Sequence, residues 1–285
     1  MLRAGNLGSD PTAQEGPLGA GEPMNIVVCV KYVPDATADR RFEDDYTVDR
    51  VGVDGLLSEL DEYAVEQALQ VKEKLGDDSE LTVLSVGPDG ATDAIRKALQ
   101  MGADKGVHVS DDAIAGSDSL ATSLVLAEAV KKIGDWDLVV CGMASTDGSM
   151  GVVPAMLSER LGVPAVTLGS EVAVDGDTVT IRRDGDAATE TIEGTLPLVL
   201  SVTDQSGEAR YPSFKGIMAA KKKPLETWSL ADLGVEAEQV GLSASWSAVE
   251  ATEARPPRTQ GQVVTDEDGS GATALVEFLA SKKFI

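Results

Sequence analysis

The groups best placed to hold a ligand lie between Trp136 and Gly151. An apolar run, Leu138 to Cys141, stops at Gly142. The loop Met143, Ala144, Ser145, Thr146, Asp147, Gly148, Ser149, Met150, Gly151 follows, and an apolar-periodic segment then runs from Val152 and Val153 to Leu161. This succession reads as a buried strand, a small polar loop and a helix start. In open α/β sheets, ligands bind outside the carboxyl ends of the strands, and phosphates lie against helix amino termini there. Gly142, Gly148 and Gly151 let the backbone approach a ligand closely, and Ser145, Thr146 and Ser149 add hydroxyls. The same residues also fit an ordinary strand-to-helix loop capped by Asp147 or Ser149, because no strict phosphate fingerprint is matched.

The remaining reactive side chains are few. Cys29 and Cys141 both sit inside apolar runs and read as small core residues of a reducing compartment. A disulfide between them requires neighbouring strands with the right Cβ geometry. His108 stands between Val107 and Val109 in a strand-like run. One histidine and two cysteines make neither a convincing zinc site nor a Ser-His-Asp constellation.

The elements that must position the loop follow from patterning over 285 residues, 42% of them hydrophobic. That is enough for one large α/β domain with an appendage, or two small domains. The net charge is -24, spread along the chain, which disfavours nucleic acid as a partner and fits a soluble protein adapted to high salt. No apolar run reaches the roughly 18 residues needed to cross a membrane. Residues 1–23, with five glycines and three prolines, read as a disordered leader without the apolar segment of a secretory signal, and Met24 is an alternative start.

Asn25 to Val33 is expected as one buried strand, followed by a charged loop over 39–57 with a short hairpin around Tyr46 to Val53. Ser58 caps a helix whose apolar stripe is Leu60, Ala64, Ala68, Val71 and Leu75. Strands over 81–86 and 105–109 then alternate with helices over 91–101 and 120–132, leading to the strand at 136–142 and its helix. Such alternation means a doubly wound parallel sheet with right-handed crossovers. Short alternating strands at 171–174, 178–183 and 190–193, together with the apolar strand 198–203, are expected as an antiparallel extension. After Thr203 the core pattern stops. Residues 204–258 carry Lys221, Lys222 and Lys223 with scattered large apolar residues, as in a segment lying on another surface. An amphipathic helix with Ala272, Leu275, Val276 and Leu279 on one face closes the chain.

Several stretches together resemble the beta subunit of electron transfer flavoprotein over residues 24–285. They are Val-Val-Cys-Val-Lys-Tyr-Val-Pro-Asp (27–35), Asp-Glu-Tyr-Ala-Val-Glu-Gln-Ala (61–68) and the run from Ile95 to Val109. Ala-Arg-Tyr-Pro-Ser-Phe-Lys-Gly-Ile-Met-Ala-Ala-Lys-Lys-Lys-Pro (209–224) and Asp-Leu-Gly-Val (232–235) complete the set, the former being highly specific. The resemblance implies a Rossmann-like sheet of the adenine-nucleotide alpha-hydrolase-like type over 24–203. It also implies a recognition loop and a C-terminal partner-wrapping arm over 204–285. It implies a cytoplasmic heterodimer with a larger alpha subunit that holds FAD, takes electrons from acyl-CoA or other dehydrogenases, as in fatty acid beta-oxidation, and passes them to a quinone oxidoreductase. The beta subunit itself would bind AMP, or a second FAD in electron-bifurcating members, and would carry no chemistry of its own. With the acidic excess, a halophilic archaeal source is expected.

The family's nucleotide contacts fall on Cys29, on Ser58, Glu59, Leu60 and Asp61, on Val86, and on the loop Gly142 to Val153. Its partner contacts fall on Arg210, Tyr211, Phe214, Ile217, Met218, Lys221, Lys222 and Lys223, with Phe214 at the apolar tip. Three departures stand out. Ser58-Glu59-Leu60 replaces the family's Asn-Pro before Asp61, Met143-Ala144-Ser145 replaces Lys-Gln-Ala, and Ala36 stands where some members place a tyrosine. Asp61-Glu62-Tyr63-Ala64 resembles the simple carriers, which favours AMP. Two other readings stand beside this one. A nucleotide-binding stress-response or ligand-sensing module leaves 204–258 without a purpose. An adenylating enzyme of the pyrophosphatase type needs a Ser-Gly-Gly-Xaa-Asp-Ser-like loop that Tyr32-Val33-Pro34-Asp35 does not supply.

Overall fold

A computed structural model describes residues 23–285, apart from 38, 39, 51, 77, 254, 255, 257–260, 262, 267 and 268. The expected leader, except for Pro23, lies outside the described residues. Contacts divide the chain into two compact units, one ending at Glu250 and one spanning Ala251–Ile285.

In the first unit, β1 (Asn25–Cys29) is followed by β2 (Tyr32–Pro34), β3 (Gly55–Leu57), α1 (Glu59–Leu75), β4 (Glu80–Val86), α2 (Ala91–Met101) and β5 (Lys105–Val109). Next come α3 (Ser119–Ile133), β6 (Leu138–Gly142), α4 (Val153–Leu161), β7 (Ala165–Gly169), β8 (Glu171–Asp175), β9 (Thr178–Asp184) and β10 (Thr189–Thr195). The unit ends with β11 (Leu198–Val202), α5 (Phe214–Ala220), β12 (Leu225–Trp228) and α6 (Leu230–Leu233). Seven strands make a parallel sheet in the order β12-β5-β4-β1-β6-β11-β7. The strands read as near-continuous apolar runs because both faces are covered. Ile26 and Val28 of β1 pack with Ala64, Ala68, Ile95 and Leu99 of α1 and α2 on one face. Val27 and Cys29 pack with Val125, Val130 and Leu157 of α3 and α4 on the other. Burying each valine, leucine or isoleucine among them contributes roughly 1.5–3 kcal/mol. The chain leaves β1 for β4 on one side and returns through β6 on the other. The sheet's topological switch point therefore lies between the carboxyl ends of β1 and β6.

The structure departs from the expected elements in four places. The strand expected over 25–33 breaks at Lys31, whose N–H turns to the Asp61 carboxylate at 2.8 Å instead of continuing the ladder. Tyr32–Pro34 then pairs antiparallel with Gly55–Leu57 in a separate ribbon. The hairpin expected near Tyr46 shrinks to a single bridge between Phe42 and Val48. Of the strands expected as one antiparallel extension, only β8, β9 and β10 form it. β11 is instead a fully buried parallel strand between β6 and β7, which its unbroken Leu-Val-Leu-Ser-Val pattern explains. Beyond Thr203 the core resumes. β12 adds to the sheet beside β5, and Leu230, Val235 and Val240 are buried with α3. The boundary expected after Thr203 therefore falls inside the first unit.

The second unit contains α7 (Ser270–Ser281), the helix expected at the chain end. Leu275, Val276 and Phe278 of this helix are exposed.

Candidate functional site

At the switch point, three segments are tied together by buried polar groups. α1 starts directly after Ser58, as expected, but the Ser58 hydroxyl does not cap it. It accepts instead from the Thr146 amide at 3.3 Å, which attaches the loop after β6 to the start of α1. Asp61, in the first turn of α1, accepts from Lys31 N–H and so fixes the exit of β1. Gly142 ends β6 against the same turn. A Cβ there would stand 2.6 Å from Asp61 Oδ1 and 2.8 Å from the Leu60 carbonyl, a close approach that only glycine permits. Burial pushes the Asp61 carboxyl up to about 7, against the downward pull of the Lys31 N–H and ammonium.

The loop itself folds on its own backbone. Ser149 takes a left-handed conformation (φ 53°), and its N–H donates to the Ser145 carbonyl at 3.0 Å. Neither Asp147 nor Ser149 caps α4, since the N-cap position is Val152 and makes no side-chain cap bond. The carboxylate of Asp147 turns to cations instead. Its Oδ1 lies 2.9 Å from Lys31 Nζ and its Oδ2 lies 2.6 Å from the Arg50 guanidinium. Burial disfavours its charge, but Lys31, the Ser145 hydroxyl and Arg50 outweigh that and hold the carboxyl well below the usual range. Arg40 donates to the Thr146 carbonyl at 2.6 Å. Cys29 and Cys141 lie beneath, both free and buried on neighbouring strands. Their mutual hydrogen bond, together with burial, pushes the Cys141 thiol well above its ordinary value, so it is a core residue and not a nucleophile. Val86 ends β4 on the other side of β1, partly buried. Glu59 is exposed, and Leu60 sits at the Gly142 contact. Met143 and Ala144 are half-buried, and Met150 projects into solvent. His108 is a satisfied core histidine whose Nε2 lies 3.0 Å from the Gly87 carbonyl.

Comparison with known proteins agrees with this architecture. A family model described as the electron transfer flavoprotein domain matches residues 45–233. The chain is 47% identical over 265 residues to the electron transfer flavoprotein subunit beta of Mycobacterium tuberculosis, covering 92% of this chain and 99% of that one. This chain belongs to the electron transfer flavoprotein beta-subunit family. It is also 33% identical over 271 residues to the subunit beta of Megasphaera elsdenii, with 92% and 100% coverage. Over 263 residues, with the same coverage, it is 33% identical to the caffeyl-CoA reductase-Etf complex subunit CarD of Acetobacterium woodii.

In this electron transfer flavoprotein chain, the segment expected to meet partners is held in an unexpected way. Ser213 caps α5 through the Gly216 amide, and α5 packs on α2 so closely that a Cβ on Gly216 would stand 2.4 Å from the Gln100 carbonyl. Tyr211, Phe214, Ile217 and Met218 are exposed, as are Lys221 and Lys222. Arg210 and Lys223 are engaged inside the chain. The Arg210 guanidinium bonds both carboxylates of α1 that face it, Glu66 and Glu73, with Nε 2.7 Å from Glu66 Oε2. Lys223 donates to the Leu99 carbonyl at the end of α2, at 2.9 Å.

The cations Lys31, Arg40 and Arg50 are site residues that the sequence reading did not single out. Each lies about a hundred positions from the loop it holds, so no local motif joins them. Composition gave no signal either, since the stretch from Lys31 to Arg50 holds four cations among six acids. Among the described residues, no helix is long and apolar enough to cross a membrane and no acidic, histidine or cysteine cluster suits a metal ion.

Proposed function

We propose that this chain is the beta half of a heterodimeric electron carrier. A larger alpha subunit would hold FAD, acyl-CoA or other dehydrogenases would supply electrons, a quinone oxidoreductase would receive them for the respiratory chain, and beta would hold AMP as a structural nucleotide. The observation that carries the reading is the cation-rimmed, glycine-containing loop at the switch point of a parallel sheet, in a chain of this family.

The residues fit a phosphate-bearing ligand. Lys31 and Arg50 supply fixed positive charge, and the backbone at Gly148 carries no side chain to fill the space toward Ser145 and Lys31. Cys29, Ser58 to Asp61 and Val86 form the remaining wall by the family pattern. FAD, when bound, supplies one- and two-electron transfer, and AMP supplies none. The chain's own part is to bind and position. Ser58, Asp61 and Gly142 hold the end of β1, the start of α1 and the loop as one body. The row Tyr211, Phe214, Ile217 and Met218 offers an apolar anchor to a dehydrogenase, flanked by Lys221 and Lys222. No residue is assigned a catalytic role.

A second reading places another FAD in this pocket and makes the complex electron-bifurcating. The likeness to a subunit named for a caffeyl-CoA reductase-Etf complex favours it. The test is the nucleotide released by denaturing the purified heterodimer. One FAD with one AMP supports the first reading, and two FAD support the second. No nucleotide beyond a single flavin refutes the role given to the loop.

A further inference from the structure

The Asp147 side chain is 2% exposed, whereas the Lys31 and Arg50 side chains that hold it are 40% and 24% exposed. The carboxylate is therefore the inner partner, and its two cations can be reached from outside. Each oxygen takes one cation, and the Gly148 amide adds a bond to Oδ1 at 2.6 Å. Lys31 Nζ also donates to the Ser145 hydroxyl at 3.4 Å. Two oxygens bridging an ammonium and a guanidinium, with a backbone N–H behind, make the donor set that a phosphate monoester uses. Carboxylate and phosphate cannot share it, because like charges this close repel strongly, and Asp61 already adds a carboxyl nearby.

We propose that Asp147 is an internal stand-in for the nucleotide phosphate. Its carboxylate fills the anion site of Lys31 and Arg50, and a phosphate-bearing ligand enters by displacing it. The inference rests on the nucleotide reading above. Displacement releases the tie of Asp147 to Lys31 and Arg50 while the Thr146 bonds to Ser58 and Arg40 remain, so ligand entry and a local rearrangement around Asp147 are one event. The intramolecular carboxylate holds an advantage in local concentration, and the phosphate holds an advantage in charge.

The test is calorimetric titration of AMP and of adenosine into the heterodimer freed of bound nucleotide. Wild type is compared with Asp147→Asn and Asp147→Ser, two neutral side chains of different shape, with the flavin absorbance of the alpha subunit as the check on assembly. At least one neutral variant should bind AMP about tenfold more tightly than wild type, a change of about 1.4 kcal/mol. Adenosine affinity should stay unchanged, and adding Lys31→Gln should abolish the gain. If wild type binds AMP and neither variant binds it more tightly, displacement is refuted while the nucleotide site stands. If wild type binds neither AMP nor adenosine, both readings fall.

Discussion

Replacing Arg210 by methionine keeps an unbranched apolar stem and removes the guanidinium that fastens residues 209–213 to α1. Glu66 is 4% exposed, and without Arg210 its carboxylate keeps only Gln70 as a side-chain partner. Stranding a fully buried charge costs about 3–5 kcal/mol. Arg210 is 32% exposed, so solvent screens the pair and about 2 kcal/mol is the appropriate figure. Glu73 is 57% exposed and adds less than about 1 kcal/mol. The expected loss of about 2–3 kcal/mol lowers Tm by about 4–12 °C in a unit of this size. Glu66 also sets the pH dependence. Burial raises its pKa, but the bonds from Arg210 and Gln70 outweigh that and hold it below the ordinary value. A carboxyl depressed in the folded state contributes stability above its unfolded pKa, about 4.3, and loses it as pH falls through the folded value. Urea unfolding should therefore show the full difference between wild type and R210M at pH 7 and a shrinking difference below about pH 4.

The functional consequence separates positioning from direct contact. If Arg210 only fixes the exposed row, R210M raises the KM for the dehydrogenase, leaves kcat intact, and is partly rescued by Glu66→Gln, which removes the stranded charge. A Tm within about 1 °C of wild type, or a KM defect that Glu66→Gln leaves untouched, would refute the reasoning.

Two further outcomes follow from the structure. Phe214 is 81% exposed and contributes little to the fold, so Phe214→Ala should change unfolding free energy by less than about 0.5 kcal/mol while raising the KM for the dehydrogenase several-fold. An unchanged KM in steady-state assays would remove Phe214 from the docking surface. Asp61 acts in the opposite sense to Glu66. Burial raises it to about 7, so the folded chain keeps a proton that the unfolded chain releases near pH 4. Stability then falls between about pH 4 and pH 7 and is level above, by on the order of 4 kcal/mol at most. Asp61→Asn should remove that slope, and a pH-independent difference between the two proteins would contradict the assignment.

The parts of the fold that were legible in the sequence are those whose burial is two-sided and local. β1, β4, β6 and their helices repeat an apolar run, a turn and an amphipathic stripe, and that rhythm alone implies a parallel doubly wound sheet. β12 shows why the rest was not legible. Of its four residues only Leu225 and Trp228 are apolar and all are at least partly exposed, so the strand is defined by its pairing with β5 across a gap of more than a hundred positions. The break after β1 is similar. Val30 to Val33 look like more strand, and it is the Asp61 carboxylate and the Ser58 N–H, both distant in sequence, that take up the backbone at Lys31. Arg210 and Lys223 appear in the sequence as free charge on a recognition segment, yet Glu66, Glu73 and Leu99 consume them, partners that no local pattern reveals.

The acidity of the chain gives the clustering of cations its meaning. A surface carrying a net charge of -24 repels an anionic ligand, so the nucleotide proposed above would need local positive charge to be held. Lys31 and Arg50 provide this at the switch point. The two cations are partly exposed, and the Asp147 carboxylate between them is the buried partner. With the cation side chains 40% and 24% exposed, solvent screens them when Asp147 is neutralised, so Asp147→Asn and Asp147→Ser are expected to fold and the proposed displacement can be read from their ligand affinity.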